Sequence, residues 1–173
     1  MTHSRNADAE RTAKDEQRTP ISLFNRLNAK FGFDIDAAAT HGNHLCSGYF
    51  TRDNPIGDAL SIEWYCKGLR EVFFLNPPYS RGMIDKFVLK AYHESLKGAT
   101  VVCLLPADVS TKWFQVCMAA DEWIIIEGRV RFNHVDGTPI KGSPKFGSIV
   151  VVFKNTTRRK NLGFPVVSSM RWK

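Results

Sequence analysis

The chain has 173 residues, 43% of them apolar and 12 of them phenylalanine, enough for one well-buried core and too few for two comfortable domains. No apolar run approaches the roughly 18 residues that span a bilayer, and residues 1–18 lack the apolar centre of a signal peptide, so a soluble, cytoplasmic protein is expected. Of the net charge of +7, residues 154–173 carry +6, from Lys154, Arg158, Arg159, Lys160, Arg171 and Lys173 with no acid; such an arm suits a polyanionic partner or a solvated tail.

Residues 1–18 mix four basic and four acidic side chains with almost nothing large and apolar, which predicts a flexible lead-in. Order is expected from "TPISLFNRLNAKFG". There Thr19 can cap a helix, Pro20 suits its first position, Leu23, Phe24, Leu27 and Phe31 recur at helical spacing, and Gly32 can close it. "FDIDAAA" reads as a short strand. Between Thr40 and Gly68 the pattern is weak, with "RDNPIGD" a loop and "ALSIEWYC" a possible short helix.

"EVFFL" is a strand of the fully buried type, and "GMIDKFVLKAYHESLKG" is a helix with Ile84, Phe87, Val88, Ala91 and Tyr92 on one side. A strand "ATVVCLL", a helix "STKWFQVCMAA" capped by Ser110, and a strand "EWIIIE" follow. "RVRF" and "GSIVVVF" look like a final pair of strands joined by the mobile loop "NHVDGTPIKGSPK". The alternation predicts an α/β domain over 19–153, with a mostly parallel sheet and an antiparallel edge pair, followed by a basic arm over 154–173.

Metal chemistry has no support in the spacing. Cys46, Cys66, Cys103 and Cys117 lack C-x-x-C pairing, and the five histidines form no spaced ligand set. Phosphate-cradling loops of the G-x-x-x-x-G-K-[ST] or G-x-G-x-x-G kind are absent from the sequence. Trp64, Trp113 and Trp123 are expected in the core or at its rim.

In α/β sheets, ligands bind at the carboxyl edge where chain direction switches. Three segments end strands there: Asp36 after "FDI", Asn76 after "VFFL", and "PAD" after "VVCLL". In "NPPY", Pro77 and Pro78 have no N–H and hold the segment extended, which leaves acceptors without competing donors. The Asn76 amide oxygen and a neighbouring carbonyl could accept both hydrogens of a primary amine such as adenine N6. Holding that nitrogen toward tetrahedral geometry localises its lone pair and aims it at an electrophile without a strong base. Tyr79 offers a flat face for a base taken out of a duplex. A structural turn is the competing reading of the tetrapeptide.

"NPPYS" resembles the catalytic motif of amino-directed, S-adenosylmethionine-dependent methyltransferases. Together with "TPISLFNRLNAKFGFDIDAAA", "CSGYFT", "LLPADVSTKWF" and "EGRVRF", it is similar to the phage-type DNA N6-adenine methyltransferase (Dam) family, over about Thr19 to Phe153. The resemblance implies a Rossmann-like methyltransferase fold and S-adenosylmethionine as methyl donor. It also implies that Asn76, Pro77, Pro78 and Tyr79 hold the target amine and base. By the same resemblance Thr19 and Pro20 lie beside the methionine end of the cofactor, Asp36 and Ala37 belong to its first acidic motif, and Asp58 meets its adenine amine. The segment "DIDAAATHG" departs from methyltransferases in general, having alanines where a Gly-rich motif is usual.

Double-stranded DNA is the expected partner, with Lys112, Arg129, Lys141, Lys145 and Phe146 as candidate contacts. Arg129 and Arg131 should share one face of their strand, and Phe146 could equally be an edge-strand core residue. The expected reaction is direct methyl transfer to adenine N6, with no metal and no membrane, in bacterial host cytoplasm if phage or prophage encoded. Methylation of glutamine or RNA adenine is an alternative enzyme reading. A catalytically silent DNA-binding or anti-restriction protein is the alternative outside enzymology.

Overall fold

Strand alternation sorts the core into two layers, one on each face of a single sheet. A computed structural model describes residues 17–51, 58–80, 82–134, 136–142, 144–154 and 163–172. Of the lead-in expected over 1–18, residues 1–16 lie outside the described residues, as does the basic cluster Arg158, Arg159 and Lys160, whereas Arg18 pairs its backbone with Asn133. The elements run α1 (Ile21–Phe31), β1 (Ile35–Asp36), β2 (Gly48–Tyr49), β3 (Val72–Leu75), α2 (Met83–Lys97), β4 (Thr100–Pro106), α3 (Phe114–Cys117), β5 (Glu122–Glu127), β6 (Ser148–Phe153) and β7 (Val166–Arg171).

Seven strands among the described residues form one sheet in the order β2-β1-β3-β4-β6-β5-β7. Six run in one direction, and β6 is antiparallel to both its neighbours, β4 and β5. The expected mixed α/β fold, mostly parallel with antiparallel pairing, is what the chain adopts; the reversed strand lies inside the sheet, and β7 forms the edge. Phe73, Leu75, Val101, Cys103, Leu105, Ile149, Val151 and Phe153 point to the face covered by α2 and α3. Phe74, Val102, Leu104, Val150 and Val152 point to the other, covered by α1. Removing each such side chain from water contributes about 1.5–3 kcal/mol, which explains why the central strands are apolar on both faces.

Helix α1 follows its apolar spacing: Leu23, Phe24 and Leu27 are buried, and the Gly32 N–H returns to the Asn28 carbonyl at 2.8 Å. Its N-cap is Pro20, with no side-chain capping bond, so Thr19 does not cap it. Helix α2 buries Ile84, Phe87, Val88 and Ala91 as expected, and also Glu94, 1% exposed. Lys90 and Lys97 reach Glu94 Oε1 at 2.8 and 3.0 Å, while the Trp64 and Tyr65 N–H groups donate to Oε2 at 3.1 and 3.2 Å. Burial pushes the Glu94 carboxyl up, but these lysine and backbone hydrogen bonds outweigh it and hold the group below its ordinary value. Glu94 thereby fastens the segment after Asp58 to α2.

Four local expectations are corrected. "ALSIEWYC" is a turn followed by irregular chain, because Asp58 caps the turn and Glu94 holds the extended backbone after it. Only Phe114–Cys117 of "STKWFQVCMAA" is α-helical. The flanking residues use bonds of three-residue spacing, and Ser110 Oγ donates to Asp108 Oδ1 in place of capping. "RVRF" makes no ladder: Val130 and Phe132 are buried and Arg129 and Arg131 exposed, but the pairing among the described residues is limited to isolated bridges of Asn133 with Arg18 and Pro139, the Phe132 carbonyl accepting the Ile140 N–H at 3.1 Å. The stretch expected as a basic arm supplies β7, which pairs with β5 along Val166–Arg171.

Candidate active site

The chain leaves β1 for β2 on one side of the sheet and builds β3 and β4 on the other, so the switch in strand order falls between β1 and β3. Register pairs Ile35 with Phe73 and Asp36 with Phe74, which sets the segment after Asp36 beside Asn76 to Tyr79. The reversal of β6 brings its start to the same edge: the Ala107 N–H donates to the Gly147 carbonyl at 2.9 Å, placing Lys145 and Phe146 next to the end of β4. The carboxyl ends of β5 and β7 complete that edge, where Arg171 Nε meets Glu127 Oε2 at 2.9 Å.

At the end of β3, Pro77 is buried and Asn76, Pro78 and Tyr79 are half-buried. Asn76 Nδ2 donates to Thr19 Oγ1 at 3.0 Å, and among the described residues Oδ1 is the open end of the amide. Tyr79 lies between the two core layers, its hydroxyl donating to the Leu104 carbonyl at 3.0 Å and its ring edge-on to Phe132 at 6.0 Å. Burial, with Cys103 nearby, pushes the Tyr79 phenol well above its ordinary value, so it stays a neutral donor. The segment then turns at Gly82, whose φ of 83° favours glycine, and the Ser80 carbonyl accepts from Met83 N–H at 3.1 Å to open α2.

The end of β1 is built differently. Asp36 is 4% exposed and receives the Ala38 N–H on Oδ1 at 3.3 Å and the Leu45 N–H on Oδ2 at 3.1 Å. Burial raises its pKa to about 6, a shift that those two backbone bonds and His44 only partly oppose. Ala37 is fully buried in the core and donates its N–H to the Phe74 carbonyl at 2.8 Å. The Ala39 N–H goes to the Phe50 carbonyl and the Thr40 N–H to Asn43 Oδ1, so the loop is satisfied largely from within. Gly48 permits the close pairing of β1 and β2, since a Cβ there would meet the Asp34 carbonyl oxygen at 3.1 Å.

Asp58 is exposed, with Oδ1 accepting the Leu60 and Ser61 N–H groups at 2.8 and 3.1 Å; among the described residues, its Oδ2 takes no hydrogen bond. Thr19, 5% exposed, and Pro20 are buried beside Asn76. Of the candidate DNA contacts, Lys112, Lys141 and Lys145 are exposed, and Phe146 is 49% exposed outside the core. Arg129 is exposed, but its Nη1 donates to the Pro144 carbonyl at 2.6 Å, so it braces the loop before β6. Trp64 is buried, and Trp113 and Trp123 are partly buried against the same core layer.

Sequence reasoning missed Arg18, whose Nη2 donates to the Gly42 carbonyl and whose backbone exchanges two hydrogen bonds with Asn133, at 2.9 and 3.0 Å. It also missed Glu94, for which a signal existed: an acid standing on the apolar stripe of a helix. No group of three metal-ligating side chains occurs among the described residues, and no helix there is long and apolar enough to cross a membrane.

Residues 6–171 match the model of the DNA N-6-adenine-methyltransferase (Dam) family. The chain is 35% identical to a DNA N-6-adenine-methyltransferase of Escherichia phage T1 over 138 residues, 79% of this chain and 54% of that protein. It is 34% identical to a DNA N-6-adenine-methyltransferase of Haemophilus phage HP1 (strain HP1c1) over 118 residues, 65% of this chain and 61% of that protein. The matches thus span between half and two thirds of each relative. With Asn76 to Tyr79 at the end of β3 and the order switch beside it, these matches make the chain a member of the DNA N-6-adenine-methyltransferase (Dam) family.

Proposed function

We propose that the protein transfers a methyl group from S-adenosylmethionine to the N6 amine of adenine in double-stranded DNA, with the adenine turned out of the helix. The observation that carries this reading is the state of Asn76: one end of its amide is fastened to Thr19, and the other is left as an acceptor beside two prolines that offer no N–H. Such a site takes an amine through its hydrogens. Asn76 Oδ1 and the Pro77 carbonyl would accept the two N6 hydrogens and turn the nitrogen lone pair out of conjugation. No residue need act as a strong base, because the proton leaves an amine that has already gained its methyl group.

The β1 and β3 edge suits the methyl donor on its donor set. When bound, S-adenosylmethionine supplies an electrophilic methyl on a sulfonium sulfur. Asp58 is the carboxylate suited to a cofactor amine, since Asp36 is buried with both oxygens committed to its own loop. In this reading the loop after Asp36 would form the β1 side of the cofactor site, with Ala37 buried beneath it, and Pro20 would lie toward the β3 side next to Thr19. A cation beside Asp58 would gain Coulomb energy, more so where water is thinned. Tyr79, which stays partly accessible, would offer its ring to the flipped base, with its hydroxyl tied to the Leu104 carbonyl.

Lys112, Lys141, Lys145 and Phe146, all exposed, would meet the duplex. Phosphate contacts by these lysines would give affinity that falls with salt, and Phe146 would stack on a base. The test is to incubate the protein with labelled S-adenosylmethionine and, separately, with duplex DNA, RNA and a protein extract. Label entering DNA is the expected result; label entering only RNA or protein overturns the DNA reading.

A further inference from the structure

The geometry points to Thr19 as a positioning residue that orients the Asn76 amide so that Oδ1, and not the NH₂ group, faces the target amine. This inference rests on Asn76 being the amine acceptor and adds how that acceptor is held. An asparagine amide rotates broadly about its terminal torsion, and its two ends carry opposite hydrogen-bonding character. With NH₂ turned toward the substrate, donor would face donor. In the structure Nδ2 lies 3.0 Å from Thr19 Oγ1, across 57 residues of sequence, so the hydroxyl is the acceptor of this pair and Oδ1 is the end turned away from it.

A group that orients another must itself be immobile. Thr19 is β-branched, 5% exposed, and held on both sides. Before it, Arg18 exchanges two backbone hydrogen bonds with Asn133 and clamps the Gly42 carbonyl of the β1–β2 loop. After it, Pro20 has φ of −56°, and its carbonyl accepts the Phe24 N–H at 3.0 Å as α1 begins. The fold does not use the hydroxyl to start α1, which has no side-chain cap. One dipeptide therefore ties together the loop after β1, the end of β3 and the segment after β5.

The test compares wild type with Thr19→Val, which keeps the shape and removes the hydroxyl, and with Thr19→Ser, which keeps the hydroxyl. The measurements are the single-turnover rate of methyl transfer to an adenine-containing duplex, the Kd for S-adenosylmethionine, the melting temperature, and the ¹H–¹⁵N signals of the Asn76 side-chain amide. Thr19→Val should lower the rate roughly ten- to hundredfold. Its Kd should stay within about twofold, with the Asn76 amide protons shifted and less protected, because a directed hydrogen bond is lost and little else. Thr19→Ser should return the rate to within roughly threefold of wild type, with the amide signals in place, because it restores that bond.

A wild-type rate in Thr19→Val, a Thr19→Ser rate as low as that of Thr19→Val, or a loss confined to cofactor Kd overturns the assignment. Should Thr19→Val not fold, Thr19→Ala carries the same comparison against Thr19→Ser. A wild type that leaves adenine unmethylated overturns the adenine reading instead. The Asn76 amide signals then still decide whether Thr19 holds that side chain.

Discussion

The ends of β1 and β3 lie side by side and are built on opposite principles. At β1, polar groups are turned onto one another: Asp36 is buried, and both its oxygens hold amides of the loop that follows. At β3, two prolines remove donors, and among the described residues the Asn76 amide is fastened at one end only. The first arrangement makes a rigid floor with little left to offer; the second keeps acceptors open at a fixed place. A carboxylate near a reaction centre is thus not by that fact a reacting group, and here the neutral amide is the better candidate.

Substitutions on the two sides should separate along this line. Asn76→Ala removes the acceptor, and the methyl-transfer rate should fall by roughly 10² to 10⁴ while the melting temperature moves by only a few degrees; stopped-time assays and thermal melts check both. Asp36→Ala should do the reverse in kind. It leaves the Ala38 and Leu45 N–H groups without their acceptor and should cost about 2–3 kcal/mol of stability, measured by denaturant unfolding.

The pH dependence sharpens the same contrast. Burial raises the folded-state pKa of Asp36 from 3.8 to about 6, so the folded state holds this proton more tightly than the unfolded chain. The resulting stabilisation is complete below the unfolded value and is lost as pH rises through the folded one. Wild type should therefore lose stability relative to Asp36→Asn between about pH 4 and pH 6, with no such divergence between wild type and Asn76→Ala.

Two smaller effects follow. Tyr79→Phe keeps the ring and removes the donor to the Leu104 carbonyl; a stability loss of about 1 kcal/mol is expected, with transfer within roughly threefold. Asp58→Asn should leave stability within about 0.5 kcal/mol, because asparagine caps nearly as well. Its cofactor affinity should still weaken roughly three- to tenfold through the lost charge, which titration calorimetry would read.

The central strands and α2 were legible because their signals are local: "VFFL", "TVVCLL" and "SIVVVF" are continuous apolar runs, and α2 repeats its apolar residues at helical spacing. Strand β7 was not, since Val166, Val167, Ser168 and Ser169 are exposed at an edge and lie among basic residues that read as an arm. In "RVRF" the alternation truly reports burial, but burial alone makes no ladder. The position of β6 between β4 and β5 is a tertiary fact with no local signature.

At the site, "NPPY" announces itself through two prolines whose chemistry is visible in the letters. The tie from Asn76 to Thr19 does not, because nothing in either residue names the other across the intervening chain. The letters name two acids near this edge but not their settings: Asp36 is enclosed and Asp58 exposed, a difference made by the tertiary packing.

The most direct measurement is to identify the methylated atom. Duplex DNA treated with the protein and labelled S-adenosylmethionine is digested to nucleosides, which are separated and analysed by mass spectrometry. The donor-free end of β3 predicts label in N6-methyldeoxyadenosine, lost in Asn76→Ala and retained in Asp36→Asn under conditions where both variants are folded. Label on a ring carbon, as in 5-methylcytosine, or equal labelling by Asn76→Ala, would contradict it.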